Sequence, residues 1–350
     1  MSIPHSMPTL GEEEAKGLQE VLASGRLATG EEVEKFEQGM ASYLGLSETV
    51  ATASGTAALH LSLLAAGVKE GDEVICPSFT CSALLNAVHH CRAIPRIVDI
   101  NEETMNISLA ATRKALTKRT AAIIIPHMFG NPVEDIGDFL PLGLPVIEDC
   151  AQSLGATSRG RMTGTWGEAA IFSFYATKVI TTGQGGMVAS RNKELLERVR
   201  DLRQYDKKED YKVRYNFCMT DFQARMGRIQ LEKLPSFLKA REDRAKLYDK
   251  HLKGLKGVAL PPAKGIYYRY VVKIKEGKLQ RVLDQLHHAG IVAQRPVFRP
   301  LHRYLGLAGF ATTEQVFAEA LSLPIYPRIK ADEVRNIALC LRRAVEDTNA

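Results

Sequence analysis

A single lysine stands in the run FSFYATKVITTGQGG, residues 172–186, after an apolar stretch and ahead of threonines and glycines. An amine held among apolar and hydroxyl neighbours can form an imine with a carbonyl, a role open to Lys178. Upstream, PVIEDCAQ sets Glu148 and Asp149 at the carboxyl end of a strand, the edge where open α/β sheets bind ligands. A carboxylate there can hold a proton on a heterocyclic nitrogen. Earlier still, Ser54-Gly55-Thr56 opens a helix. The free N–H groups and positive dipole end of such a helix start receive phosphate, and Gly55 lets the anion approach. Each feature also has a plainer reading alone: a solvated lysine, an acid capping a turn, an ordinary capped helix.

Together, and in this order, they meet the needs of pyridoxal phosphate. The lysine forms the Schiff base, the carboxylate keeps the pyridine nitrogen protonated so that the ring accepts electrons, and the helix start neutralises the phosphate.

The elements that must position these groups are legible as alternating short apolar strands and amphipathic helices from about residue 30 to about residue 200. VEKFEQGMASYLGL places Val33, Phe36, Met40, Tyr43 and Leu44 on one helical face. SGTAALHLSLLAAG reads as a helix with Ser54 as N-cap and Gly67 as its stop. Strands are expected at EVIC, IPRIVDI, AAIIIP, PVIED, AAIFSF and GMVAS. Continuous Ile/Val runs mark strands buried on both faces, so the fold class is α/β with a mostly parallel central sheet flanked by helices. A long helical stretch from Met219 is expected to be interrupted at Pro235. Beyond it lie a strand YRYVVKI, a helix KLQRVLDQLHHAG, a polar segment and a closing helix, read as a smaller α+β domain. The expected division is 1–235 for the large domain and 236–350 for the small one.

With 350 residues, 45% of them hydrophobic, the chain has ample core material. The net charge of +6 is spread along the chain, which suits an anionic small molecule and gives no basic stripe for nucleic acid. The six cysteines form no CxxC pair, and Cys76, Cys81, His89, His90 and Cys91 match no zinc-site spacing, so no metal is expected. No apolar run reaches the ~20 residues of a membrane helix. The opening MSIPHSMPTLGEEEAKG shows no secretory pattern, and the expectation is a cytoplasmic protein.

The chain resembles the DegT/DnrJ/EryC1/StrS family of aminotransferases, fold-type-I pyridoxal phosphate enzymes acting mostly on nucleotide-linked keto sugars. The likeness runs through SGRLATGEEVEKFE, SGTAALHLSLLAAGVKEGDEVICPSFT, PVIEDCAQSLGA, FSFYATKVITTGQGGMV, YNFCMTDFQARMGRIQLEKL, RPLH and LSLPIYP. It implies that Lys178 is the internal-aldimine lysine and later the proton shuttle. It implies that Asp149 pairs with the pyridine nitrogen and that Gln152 reaches the ring hydroxyl side. Gly55, Thr56 and Ser173 would hold the phosphate, and Asn216 would reach the phosphate of a partner chain, making a homodimer with shared active sites. Arg299, His302 and Arg328 lie in family-like motifs, as candidates for substrate contact or as structural residues.

Four positions depart from the family's usual pattern. Cys81 stands where relatives carry an aromatic residue stacked on the cofactor ring, and Cys218 follows Phe217 where a cation is common. Gln184 replaces Glu in the glycine loop, and Phe298 replaces Tyr ahead of RPLH. None touches Lys178 or Asp149. The activity implied is ping-pong transamination, with L-glutamate as amino donor and a keto sugar, nucleotide-linked or a free cyclitol, as acceptor. Sugar dehydratases of the same family carry histidine at the aldimine position, whereas this chain has Lys178. A cofactor-binding regulator without turnover is the non-enzymatic alternative.

Overall fold

The computed structural model describes residues 2–346. Its strands are β1 Thr49–Thr52, β2 Glu73–Pro77, β3 Ile94–Val98, β4 Thr120–Pro126, β5 Val146–Asp149, β6 Thr157–Ser158, β7 Arg161–Met162, β8 Ala169–Ser173, β9 Gly186–Ala189, β10 Val258–Ala259, β11 Tyr270–Ile274 and β12 Ala320–Leu323. The helices are α1 Glu12–Ser24, α2 Glu31–Leu44, α3 Gly55–Ala65, α4 Ala83–His90, α5 Leu109–Ala115, α6 Lys193–Arg203, α7 Asp221–Leu252, α8 Leu279–His288, α9 Leu301–Tyr304, α10 Ala311–Glu319 and α11 Ala331–Glu346.

Seven strands form the central sheet in the order β1-β9-β8-β5-β4-β2-β3. Neighbours from β8 through β3 pair in parallel, and β9 pairs antiparallel with both β1 and β8. Only β9 therefore runs against the rest. The carboxyl ends of β1, β2, β4, β5 and β8 consequently open on one edge of the sheet, and residues far apart in sequence meet there. The Ile/Val runs of β4 and β5 are buried from Ala122 to Ile125 and at Val146 and Ile147, as their composition demands. Helix α3 is apolar nearly all round, because it lies in the core between the sheet and the outer helices.

The strands expected from the Ile/Val and aromatic runs form at β2, β3, β4, β5, β8, β9 and β11, while β1 (TVAT) and β12 (ALSL) carry no such run. The polar segment between α8 and α11 holds α9, α10 and β12. Pro235 does not interrupt α7, which continues to Leu252. The proline removes one N–H donor, but Leu234 and Phe237 beside it are buried, and their packing holds the helix in register. The expected domain division at 235/236 thus falls within this helix. Its later part, from Ala245 onward, joins β11, α8 and α11 in a C-terminal core. Ile3 also belongs to that lobe, bridging to Ile291. Among the described residues no helix is long and apolar enough to cross a membrane.

Candidate active site

Strand β5 delivers Glu148 and Asp149 to opposite faces of the sheet, since successive side chains alternate. Glu148 is fully buried and accepts four hydrogen bonds, from His127 Nε2 (3.1 Å) and the backbone N–H groups of Gly164 (2.8 Å), Trp166 (2.7 Å) and Gly167 (2.9 Å). Val133 N donates to His127 Nδ1 (3.0 Å), which fixes the tautomer with its proton on Nε2. Burial alone would raise the Glu148 carboxyl, but the His127 ring and these N–H groups outweigh it and hold the group below its ordinary range. Cys150 completes a buried trio with His127 and Glu148, their ligand atoms within 4.8 Å of one another. Hydrogen bonds already occupy both His127 nitrogens and both Glu148 oxygens, so the trio reads as a structural network.

Asp149 is different. Its carboxylate accepts one hydrogen bond among the described residues, from Ala151 N (3.0 Å). Burial raises its pKa, with the Ala151 N–H and the Lys178 amine opposing. A buried carboxylate short of donors is ready to receive a protonated ring nitrogen.

Lys178 follows β8 in a turn closed by its own N–H on Tyr175 O (2.9 Å). The loop beyond it is tied back to the sheet: Thr182 N and Thr181 Oγ1 donate to Phe174 O at 2.9 and 3.2 Å. Gln223 Nε2 donates to Gln184 O at 2.9 Å, so position 184 acts here through its backbone. The Lys178 amine lies 5.3 Å from the centroid of the Tyr268 ring.

Cys81, beyond the end of β2, borders the open cleft yet is enclosed enough for burial to raise its thiol. Asp149 raises that thiol further and Lys178 opposes it. Gln152 accepts from Phe129 N through Oε1 (2.8 Å), leaving its amide N–H groups to donate.

The start of α3 meets the end of β8. Ser54 caps the helix, its Oγ accepting from Ala57 N at 3.1 Å. The N–H groups of Gly55 and Thr56 donate to no acceptor among the described residues. A Cβ on Gly55 would lie 2.8 Å from the Ser173 Cβ, so only glycine lets the helix start and the Ser173 hydroxyl share one cradle. These donors, the lone carboxylate and the amine fit pyridoxal phosphate.

Asn216 is not brought to this cluster within the chain. Its side chain is exposed, between Tyr215 and Phe217, whose stacked rings (centroids 4.9 Å apart) turn inward against His60. Phe217 O accepts from Ala53 N at 2.7 Å, which ties this strip to the phosphate helix. His302 is buried and bonded to Ser78 Oγ (2.5 Å) and Glu314 Oε1 (2.7 Å), a structural bridge between the end of β2 and α10. Arg299 lies exposed over Tyr304, and Arg328 is exposed. Sequence reasoning missed His127 and Tyr268, because each acts through partners distant in the chain.

Known proteins carry the same architecture. The family model described as the DegT/DnrJ/EryC1/StrS aminotransferase family matches residues 8–342. A GDP-perosamine synthase of Caulobacter vibrioides is 34% identical over 336 residues, covering 90% of each chain. The aminotransferase TlmJ from Streptoalloteichus hindustanus superposes with a TM-score of 0.94 at 28% identity, covering 99% of this chain and 100% of that one. The PLP form of the sugar aminotransferase Spr1654 from Streptococcus pneumoniae superposes with a TM-score of 0.91 at 26% identity, covering 99% of each chain. The chain belongs to the DegT/DnrJ/EryC1/StrS aminotransferase family, and pyridoxal phosphate is its cofactor.

Proposed function

We propose that the protein transfers an amino group from L-glutamate to the keto group of a nucleotide-diphosphate-linked keto-deoxy sugar, in two half-reactions at one site. The observation that carries this reading is the Lys178 amine sharing one cleft with the under-bonded Asp149, with the Gly55–Ser173 cradle on the same sheet edge. The Caulobacter relative, a GDP-perosamine synthase, supports a nucleotide-linked sugar as acceptor.

When bound, pyridoxal phosphate supplies an electron-accepting ring that stabilises negative charge at the substrate carbon. Gly55 and Thr56 N–H, the dipole of α3 and the Ser173 hydroxyl hold the phosphate. Asp149 keeps its charge against the ring nitrogen. Lys178 Nζ bonds the cofactor at rest and, once released, takes and returns a proton at the substrate carbon. Cys81 lines the ring face. The unit is a homodimer in the cytoplasm, with Asn216 supplied across the interface to the partner's phosphate.

The test is multiple turnover. The cofactor-loaded protein, given L-glutamate and a panel of nucleotide-linked keto sugars, should release 2-oxoglutarate and form an amino sugar visible by mass spectrometry. Release of 2-oxoglutarate without amination of any sugar or cyclitol ketone would refute the acceptor, and no release from any amino acid would refute transamination.

A further inference from the structure

We propose that Tyr268 is a positioning residue for Lys178, its ring face the seat on which the ammonium rests once the released amine has taken the substrate-carbon proton. The role of that amine rests on the function proposed above, whereas the seat is a property of the chain itself.

The segment carrying Tyr268 is held from both sides. Ile266 N and Arg269 N donate to Gly130 O (3.0 Å) and Phe129 O (3.2 Å), in the loop after β4. Gly130 has φ +86°, and a Cβ there would lie 2.8 Å from Tyr268 N, so the two backbones approach as closely as glycine allows. From the other side Arg241 Nη1 donates to the carbonyls of Tyr267 (3.3 Å), Tyr268 (3.2 Å) and Ile325 (3.2 Å). Thr177, the residue just before Lys178, also acts on the Tyr268 phenol. Only 6% of Tyr268 is exposed. The backbone is thus fixed, and burial keeps the ring against the Lys178 amine, 5.3 Å from its centroid.

The electrostatics give the contact its use. An ammonium is attracted to the negative face of an aromatic ring, most strongly where water is excluded. Asp149 is the carboxylate acting on this space, and in the proposed function its charge is committed to the cofactor's ring nitrogen. Having taken that proton, the amine must hold it until it is returned, and the ring face supplies attraction that Asp149 no longer does. Arg269 lies 5.2 Å from the same ring. The Cys81 thiol, raised by burial, stays neutral near pH 7 and contributes no charge. Burial would raise the Tyr268 phenol, but Lys178, Arg269, Thr177 and Arg241 outweigh it and lower it, the reciprocal mark of the same cations.

The experiment measures the titration of Lys178 in the full chain stripped of cofactor. Pulse acylation across pH, with peptide mass spectrometry, reads the pH midpoint at which the Lys178 amine becomes reactive. Tyr268→Phe keeps the ring and should leave the midpoint within a few tenths. Tyr268→Leu removes the ring and should move the midpoint to lower pH by about 0.4 to 1.5. Tyr268→Met, a second ring-free replacement, gives the same reading if the leucine variant fails to fold. An unchanged midpoint in the ring-free variants overturns the proposal. A Tyr268→Phe shift as large as theirs also overturns it, since the hydroxyl would then be the seat. Because no cofactor is present, the shift stands or falls independently of turnover.

Discussion

Glu148 and Asp149 are neighbours in β5 with opposite surroundings: four N–H donors close the carboxylate of Glu148, and one donor, Ala151 N, reaches that of Asp149. Strand alternation sends the first into the scaffold and the second into the cleft with Lys178. One carboxylate holds the loop 164–167 in place, and the other is left for the cofactor.

Glu148→Gln should therefore destabilise the fold without acting on chemistry. An amide turns an NH2 group toward donors that need an acceptor, at a cost of about 3 kcal/mol. Thermal melts of the cofactor-free protein check this. Since the folded pKa of Glu148 is depressed, its contribution is present above the ordinary carboxylate range and lost as pH falls through the depressed value. The gap between wild type and variant should close on acidification. A constant gap would contradict the assignment.

Asp149→Asn should do the reverse. The folded pKa of Asp149 is raised, so its favourable contribution is full below the unfolded value and lost as pH rises through the folded one. At pH 7 the cofactor-free variant should melt at or above the wild type, with the difference vanishing near pH 4, about the unperturbed Asp value. Its turnover should fall by about a hundredfold or more, as for other preorganised charges at reacting centres. A destabilised variant with normal turnover would place the working carboxylate elsewhere.

Ser173→Ala removes one hydrogen bond to a charged phosphate, worth about 1.5–3 kcal/mol, or roughly ten- to a hundredfold in cofactor affinity. Gly55→Ala should weaken binding as well, because the new methyl meets the Ser173 side chain at 2.8 Å. Absorbance titration with pyridoxal phosphate reads both. Unchanged affinity in either variant would remove the phosphate from this cradle.

Asn216 is exposed and lies outside its own chain's cluster, so the shared-site dimer predicts complementation. Lys178→Ala and Asn216→Ala chains, each impaired alone, should on equal mixing and reassembly regain about a quarter of wild-type activity: half the dimers are mixed, with one intact site each. Mixing without recovery would show that each site is built from one chain.

Cys81 borders the cleft where a ring would lie, whereas Cys76, Cys91 and Cys150 are buried. Its raised thiol should react slowly with iodoacetamide at pH 7 and faster as pH rises. Bound cofactor should protect it. Equal labelling with and without cofactor would move the ring away from this residue.

Much of this was legible in the sequence. The Ile/Val strands, Ser54 as a cap and the order of helix start, carboxylate and lysine all follow from local composition. The strands TVAT and ALSL are short and rich in small or polar residues, and their pairing, with β9 and β11, is a tertiary outcome. Alternation separates Glu148 from Asp149, but which face carries the cleft depends on His127 and the loop 164–167. Tyr268 sits in an aromatic-rich run just ahead of β11, where nothing local distinguishes it from Tyr267 or Tyr270. Its contact with Lys178 exists only once Gly130 and Arg241 fix the crossing of the chain. Pro235 shows the opposite limit, a strong local breaker overruled by packing.

In the proposed function the Lys178 amine bonds the cofactor. Borohydride reduction of the cofactor-loaded protein, followed by digestion and mass spectrometry, locates that bond. The pyridoxyl adduct should appear on the peptide containing Lys178 and be absent from Lys178→Ala. An adduct on another lysine, or none on a protein that binds the cofactor, would contradict it.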